Sequence, residues 1–588
     1  MREWLPGYRR AWLVADSRGG FDGALLAIPQ GMAFAAVAGL PLAYGITCSA
    51  VACTVGAFFM SSRHSIYGPT NATAFMVASY FATYPQIDQL GAMPNLVFIV
   101  GMILVLGALL RIADLGQYVS RTVIIAYLTG AAVQMLVHQL PVVLGITLTP
   151  IEGVSGHPAP QTLVGDLWQT LAQLPQASWL SILVSVITFL AYLGIRRWRS
   201  RWPAMALTIC LLAGLAKLAS LWGLSIVTYA DARFGLGDLL PAFPDFTTRE
   251  ATGQFSRLFG LAMALAFMAM LENSSMARTL AAQKGHRIDA NQDLFSLGVA
   301  NLACSYLSGM PASHSLTRSM ANYASGAVTP VSAIVSGVIC LIGALTIGPM
   351  VAYMPKATLA TLVMCVAAGL INPKHIRVAM RATRSDAAVF LITLGASLMV
   401  PLHVAIFTGV GVSLVLYLHK ASRPSLVEYE FNQEGHLAEA TQPGVRQNPA
   451  VSIVHVEGEL FFGAADLFRT QIQVICADAN LRIIILRLKN ARHMDATSIL
   501  ALEELIHVLR ADGRDLIISG VMKDVYRVLR DSGMVDIIGK DNIFPASPSN
   551  PNVATRNALK RAQQILGTSE AEVRIYFDPN KKKDAAVS

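Results

Sequence analysis

Along the first 420 residues, apolar stretches alternate with short breaks of charge, Pro or Gly, and most approach the roughly 20 residues a helix needs to cross a hydrocarbon core. The clear ones are residues 22–39, 43–60, 95–112, 122–140, 178–195, 203–222, 256–276, 328–348, 356–371, 386–401 and 403–419. Three weaker segments complete the series. Residues 70–84 and 315–325 are short and follow Pro69 and Pro311, and 292–308 carries a few polar groups. Together they predict an α-helical membrane protein with 14 transmembrane segments.

Basic residues test that count, because cytoplasmic loops near helix ends hold the Lys and Arg. With the N-terminus inside, the inner loops contain Arg63, then Arg111 and Arg121, then Arg196, Arg197, Arg199 and Arg201, then Arg278, Lys284 and Arg287, then Lys374, Arg377, Arg381 and Arg384. The outer stretches 85–94 and 141–176 hold no Lys or Arg, and 223–255 holds only Arg233 and Arg249 beside four acids. One missed helix would reverse every later loop, and an even number returns the C-terminus to the cytoplasm. The weak segments 70–84 and 315–325 fall third and tenth, the third place in each half of a 7+7 arrangement. Inverted-repeat transporters use such short, interrupted segments to build a mid-membrane site from half-helix ends. Seven helices per half start the second half on the opposite side, so the repeats, about 21–225 and 255–420, are inverted. Irregular helices of a channel or receptor are the alternative reading.

Beyond residue 420 the pattern changes. Strand-like runs at 451–456, 482–488 and 515–519 alternate with helical patterns at 464–477, 496–511 and 522–532, and a basic amphipathic stretch at 553–566 predicts a last helix. This is a small α/β unit with a parallel or mixed sheet. The expected organisation is a cytosolic N-terminus (1–20), a transmembrane domain (21–420), a linker (421–450, its 434–450 part polar with Pro443 and Pro449), the α/β domain (451–566) and a disordered tail (567–588). Residues 1–20 lack an apolar core and a cleavage site, so they are not read as a removable signal.

Composition agrees with this division. Charged residues are 14% of the chain, but 25 basic and 15 acidic residues lie in 1–420 against 20 and 21 in the remainder. The net charge of +9 therefore resides in the apolar part, which excludes a nucleic-acid partner. Six of seven cysteines lie in apolar segments with no C-x-x-C pair, and read as small buried hydrophobes. No phosphate loop of the G-x-x-x-x-G-K-[ST] type and no metal-ligand spacing occurs. Hence no enzyme, cofactor or metal is expected.

What remains is a small set of polar groups at depths where polarity is costly. Segment 70–84 opens Gly68-Pro69-Thr70-Asn71 and segment 315–325 opens Ser313-His314-Ser315-Leu316-Thr317-Arg318-Ser319. Two facing helix starts, each with unpaired N–H groups and a partial positive charge, form an anion site, to which Arg318 would add a full charge. The alternative is ordinary N-caps, with Arg318 snorkelling to an interface. Glu272 is the only acid within the strongly apolar segments apart from Asp22, Asp293 and Asp386 near helix ends. It is a candidate for carrying a coupled proton, or equally a structural partner of Arg318 or a group at the inner water boundary. Gln30, beside helix-breaking Pro29, could orient a substrate or satisfy the carbonyl that Pro29 frees.

At these residues the chain resembles a known family. IPQGMAFAAVAGLPLAYGI (28–46), SSRHSIYGPTNA (61–72), the stretch 272–302 and SHSLTRSMANYASGA (313–327) together resemble the SulP sulfate permease family, solute carrier family 26, and the C-terminal unit resembles its STAS domain. The resemblance implies a fold similar to the uracil permease, a core domain (segments 1–4 and 8–11) moving against a gate domain (5–7 and 12–14), and a homodimer. It places the substrate site on Gln30, Phe34, Thr70, Ser315, Leu316, Thr317 and Arg318, with Glu272 as coupling residue. Members resembling cyanobacterial sodium-dependent bicarbonate transporters carry Asp at position 272 and Thr at 276. Here Met276 stands in that place, a poor ligand for a hard cation, which favours a proton over sodium. In the STAS unit the resemblance makes Asp495 and Thr497 a regulatory pair, Thr497 being phosphorylatable; a capped helix without a switch is the plainer reading. The expectation is secondary active transport of an anion, sulfate first, in symport with a proton, in the cell (inner) membrane and its lipid bilayer, with both termini cytoplasmic and a cytosolic protein partner for the STAS domain. Sodium-coupled bicarbonate or C4-dicarboxylate transport, or an anion channel or exchanger of the same fold, are the alternatives.

Overall fold

The computed structural model describes residues 8–147, 163–198, 204–224, 226–229, 244, 249–284, 288–422, 425–431, 437–439, 449–458, 460, 462–476, 478–489, 491, 494–547 and 552–567. Arg199, Arg201, Arg233, Arg287 and the tail beyond Gly567 lie outside them, as do Pro443 of the expected linker, residues 148–162 of the expected outer loop 141–176 and most of the expected outer loop 223–255. The chain forms two compact units, Met1–Ser413 and Leu414–Ser588.

The first unit is helical: α1 (Arg10–Val37), α2 (Leu42–Ala57), α3 (Asn71–Thr83), α4 (Gln89–Leu109), α5 (Arg121–Leu144), α6 (Leu163–Ala172), α7 (Trp179–Trp198), α8 (Ala204–Leu221), α9 (Arg249–Lys284), α10 (Ala290–Tyr306), α11 (Leu316–Ala324), α12 (Val331–Val351), α13 (Lys356–Leu370), α14 (Pro373–Ala382), α15 (Arg384–Met399) and α16 (Leu402–Ala421). Each of the fourteen expected segments carries a helix, and α6 and α14 are two more, set where loops were expected. Eight of the described helical spans are long and apolar enough to cross a bilayer; α2 and the Val331–Ala344 part of α12 are shorter apolar helices. Between α2 and α3, and again between α10 and α11, the chain is extended: β1 (Tyr67–Gly68) pairs antiparallel with β2 (Ser313–His314).

Small residues let these helices pack closely. Where α1 crosses α2, a methyl on Gly45 would sit 1.9 Å from the Gly31 carbonyl oxygen, so only glycine fits. Polar groups freed by the breaks are satisfied by buried acids near helix ends. Asp16 of α1 accepts from the Val328 and Thr329 N–H groups ahead of α12 (2.7 and 2.9 Å). Asp293 of α10 accepts from the Ser61 and Ser62 N–H groups after α2 (2.6 and 3.0 Å). Asp22 accepts from Ser325 and Asp386 from Thr383, so these acids hold turns. Cys48, Cys53, Cys304 and Cys340 are buried as expected, but Cys210 on α8 is exposed, because α8 presents only one side to the helices around it.

The second unit carries a six-stranded mixed sheet of order β4-β3-β5-β6-β7-β8. Strands β5 (Val451–Glu457), β6 (Ile483–Arg487), β7 (Asp515–Val521) and β8 (Ile543–Pro545) run parallel, and β3 (Ser425–Phe431) joins antiparallel to β5 and to β4 (Leu437–Glu439). Thus part of the span expected as linker is sheet. Its helices are α17 (Ala465–Ile475), α18 (Ala496–Ala511), α19 (Lys523–Asp531), α20 (Met534–Ile538) and α21 (Val553–Leu566). Strand alternation divides the core: Val454, Ile484 and Ile518 pack with Phe468, Leu502 and Leu529, whereas Ile453, Ile485 and Ile517 pack with Ala558 and Ala562 of α21.

Candidate functional site

Two residues after β1 and one after β2, the chain turns into α3 and α11. Thr70 is the N-cap of α3: its hydroxyl accepts from the Thr73 N–H (3.4 Å), and the Thr73 hydroxyl accepts from the Thr70 N–H (3.0 Å). Ser315 caps α11, accepting from the Arg318 N–H (3.5 Å), while the Ser315 N–H donates to the Ile66 carbonyl (3.2 Å). The strand pair thus holds both helix starts together, and the first turn of each lines one cavity of about 310 Å3 through Thr70, Asn71, Ala72, Ser315, Leu316 and Thr317. Helix N-termini present unpaired N–H groups and partial positive charge, so the cavity suits an anion.

Gln30 and Phe34 of α1 line the same cavity, next to Pro29, which interrupts the hydrogen-bond ladder of the helix. From α9 come Met268, Leu271, Glu272, Ser275 and Met276. Glu272 Oε2 accepts from the Thr70 hydroxyl (3.3 Å) and from the Ser313 hydroxyl. The carboxyl is therefore tied to the start of α3 and to the strand leading into α11. Seven residues expected at the site from the sequence, Gln30, Phe34, Thr70, Glu272, Ser315, Leu316 and Thr317, are brought together here.

Arg318 is not among the lining residues. Its side chain is fully buried, donating from one nitrogen to the Pro69 carbonyl (2.7 Å) and from another to the Ser49 hydroxyl (3.4 Å). Gly68 makes room for it: with φ at +148°, a methyl there would lie 2.6 Å from the guanidinium. Arg318 therefore neither reaches the anion cavity nor snorkels to an interface; it braces the segment that leads into α3. No carboxylate forms an ion pair with it among the described residues, and the charge of Glu272 acts on it through space.

Several participants carried no sequence signal of their own. Ser313 and His314 look like any polar pair ahead of a helix, yet Ser313 bonds Glu272 and His314 lines the cavity while its Nδ1 meets Asn273 Oδ1 (3.3 Å). Ile124 and Leu128 of α5 and Val366 and Leu370 of α13 supply an apolar wall indistinguishable in sequence from lipid-facing positions. In the second unit, Asp495 caps α18, accepting from the Ser498 N–H (2.9 Å) and the Phe462 N–H (2.7 Å), and Thr497 is exposed in its first turn. Burial alone would raise the Asp495 carboxyl, but those hydrogen bonds outweigh it and hold the group below the ordinary carboxylate range.

Comparison with known proteins agrees with this arrangement. The sequence pattern of the Sulfate permease family matches residues 13–393, and that of the STAS domain matches residues 442–549. The chain is 26% identical to YvdB of Bacillus subtilis, covering 92% of this chain and 97% of that protein. It is 25% identical to the chloroplastic sulfate transporter 4.1 of Arabidopsis thaliana, covering 97% and 83%. The fold matches the structure of the murine anion transporter Solute Carrier 26 family member A9 in its inward-facing state, with a TM-score of 0.81 at 19% identity, covering 95% of this chain and 93% of that one.

Proposed function

Because the chain belongs to the sulfate permease family, a family of membrane anion transporters rather than enzymes, we propose that it is a secondary active transporter of a small oxyanion, sulfate first, moved together with a proton. The observation that carries this reading is the cavity in which two capped helix starts face one carboxylate, Glu272. The anion lies against the N–H groups opening α3 and α11, with Gln30 and the hydroxyls of Thr70, Ser315 and Thr317 beside it. Glu272 sets the charge of the site. Protonated, it leaves the field of Arg318 and the helix ends unopposed, and the anion binds; deprotonated, it opposes the anion, which leaves. Proton and anion then bind cooperatively, with a coupling of about 1–3 kcal/mol typical of linked sites.

The relatives' names favour sulfate, as does a site made of N–H and hydroxyl donors around a fixed positive field. Met276 lines the cavity at the place a sodium ligand would take, which speaks against the sodium-coupled bicarbonate reading. The fourteen helical segments are read as spans in two inverted repeats of seven. In that reading α1–α4 and α9–α12 form a core that moves against α5–α8 and α13–α16, exposing the cavity alternately to either side of the cell membrane, with both termini cytoplasmic and two chains in a homodimer. Residues 21–420 are the transport domain in this reading, and Asp495 with Thr497 marks a regulatory helix start in the STAS domain, open to phosphorylation and to a cytosolic protein partner.

The test is uptake of labelled sulfate, bicarbonate and fumarate by the purified chain in sodium-free proteoliposomes at two external pH values. Sulfate uptake that rises as external pH falls is the expected result. Preference for bicarbonate or fumarate would move the substrate assignment. Uptake that never exceeds equilibrium under any gradient would make the protein a channel or exchanger.

A further inference from the structure

Tyr127 lies on α5 between Ile124 and Leu128, two residues that line the cavity shared with Glu272. Its side chain is fully enclosed, and its hydroxyl has no hydrogen-bond partner among the described residues. Leaving a buried phenol unpaired is costly, so a state in which it is paired gains by comparison. The charge of Glu272 acts on this hydroxyl. Glu272 in turn takes the hydroxyls of Thr70 and Ser313 at Oε2, and Oε1 accepts nothing among the described residues. An orphan donor and a free acceptor thus lie on two different helices, each of which contributes residues to the cavity wall.

We propose that Tyr127 is a positioning residue that donates its O–H to Glu272 Oε1 when the empty carrier closes with Glu272 charged. This rests on the reading above, in which Glu272 carries the proton and α5 moves against α9. A loaded carrier closes with Glu272 protonated and neutral and needs no phenol. The empty carrier must return with a carboxylate shut away from water, which is unfavourable unless hydrogen bonds replace the lost hydration. A charge-assisted O–H···O⁻ bond supplies one.

Among the described residues, no other titratable group around α9 has a buried hydroxyl without a partner. Arg318 is engaged with Pro69 and Ser49, and His314, which lines the cavity, holds Asn273 through Nδ1 and has no partner at Nε2 among the described residues. On α3, Tyr80 donates to the Arg257 carbonyl. On α10, Asp293 holds the Ser61 and Ser62 N–H groups, and Tyr306 stacks edge-on with Phe98 of α4. Asp114, ahead of α5, accepts from Asn291.

The experiment compares two transport modes of the full-length chain in sodium-free proteoliposomes: net sulfate uptake into sulfate-free vesicles, which needs the empty return, and sulfate–sulfate exchange, which does not. Tyr127→Phe removes one oxygen atom and keeps the ring. It is expected to slow net uptake by about tenfold, the scale of one hydrogen bond to a charged group, while exchange and the KM for sulfate stay within about twofold. In a Glu272→Gln background the same substitution is expected to change net downhill uptake by less than about twofold, since no carboxylate remains to be met. Equal losses in both modes, no loss in either, or the same loss in the Gln background would overturn the pairing. If wild-type uptake ignores the proton gradient, the proton reading of Glu272 falls, while the split between net uptake and exchange in Tyr127→Phe still decides the contact itself.

Discussion

Glu272 and Arg318 both sit beside the two helix starts of the first unit, and the structure assigns them different work. Glu272 faces the cavity between Thr70 and Ser313, whereas Arg318 points away into the packing against Pro69 and Ser49. Two substitutions separate these roles. Ser315→Trp should fill the cavity and abolish sulfate uptake, with the thermal transition of the detergent-solubilised chain changed little. Arg318→Ala should abolish uptake and also destabilise the fold by about 3 kcal/mol, because buried hydrogen bonds from a charged group are lost and a void is left; a lowered melting transition checks this. An Arg318→Ala protein as stable as wild type would contradict the bracing role. The sequence made Glu272 legible because an acid stands out in an apolar helix. It could not show where Arg318 points, since that direction depends on the pairing of two strands far apart in sequence, Tyr67 with His314 and Gly68 with Ser313, and on the space left by Gly68.

Among the elements, the two helix starts were legible because Pro69 and Pro311 interrupt apolar runs and are followed by capping residues. Helices α6 and α14 were not. Both are only ten residues long, far short of a membrane-crossing run, and their apolar sides become visible only against a packed neighbour, as when Ala379 of α14 buries beside Ala126 and Phe390. Strands β3 and β4 were hidden for a similar reason, since β3, next to the edge strand β4, alternates Glu428 and Glu430 with apolar residues and reads as a charged linker. The strand pair invites a test. Gly68→Ala should displace the guanidinium, misalign α3 with α11 and reduce uptake at least about tenfold, because a site misplaced by an ångström loses that much; a Gly68→Ala variant with normal KM and rate would show that the crossing does not position the site. In the STAS unit, Asp495→Ala should cost about 1 kcal/mol through loss of the α18 cap, read in the unfolding transition of that unit within the full chain. Its carboxyl is depressed in the folded state, so this stabilisation is present above the unfolded value of about 3.9 and is lost as pH falls through the folded one. The difference between Asp495→Ala and wild type should therefore shrink in acid and be undiminished at neutral pH.

At the scale of the whole molecule, periodicity and charge were enough to separate an apolar unit from an α/β unit, because burial in lipid and burial in a small sheet demand different compositions. Counting spans is harder from a structure than from a pattern. Helices α3 and α11 have 13 and 9 residues, too short to cross a bilayer alone, yet each continues into an extended strand, and it is there that the cavity forms. What makes the unit a transporter in this account is the linkage of an anion held by two helix ends to the proton on one carboxylate. The measurement that bears on it most directly is sulfate accumulation driven by an inward proton gradient in sodium-free proteoliposomes, comparing wild type with Glu272→Gln. Wild type should concentrate sulfate inside when the outside is acid and stop when the gradient is collapsed, and Glu272→Gln should bind and exchange sulfate without accumulating it. Accumulation by the Gln variant equal to that of wild type, or wild-type uptake that requires sodium and ignores pH, would contradict the account.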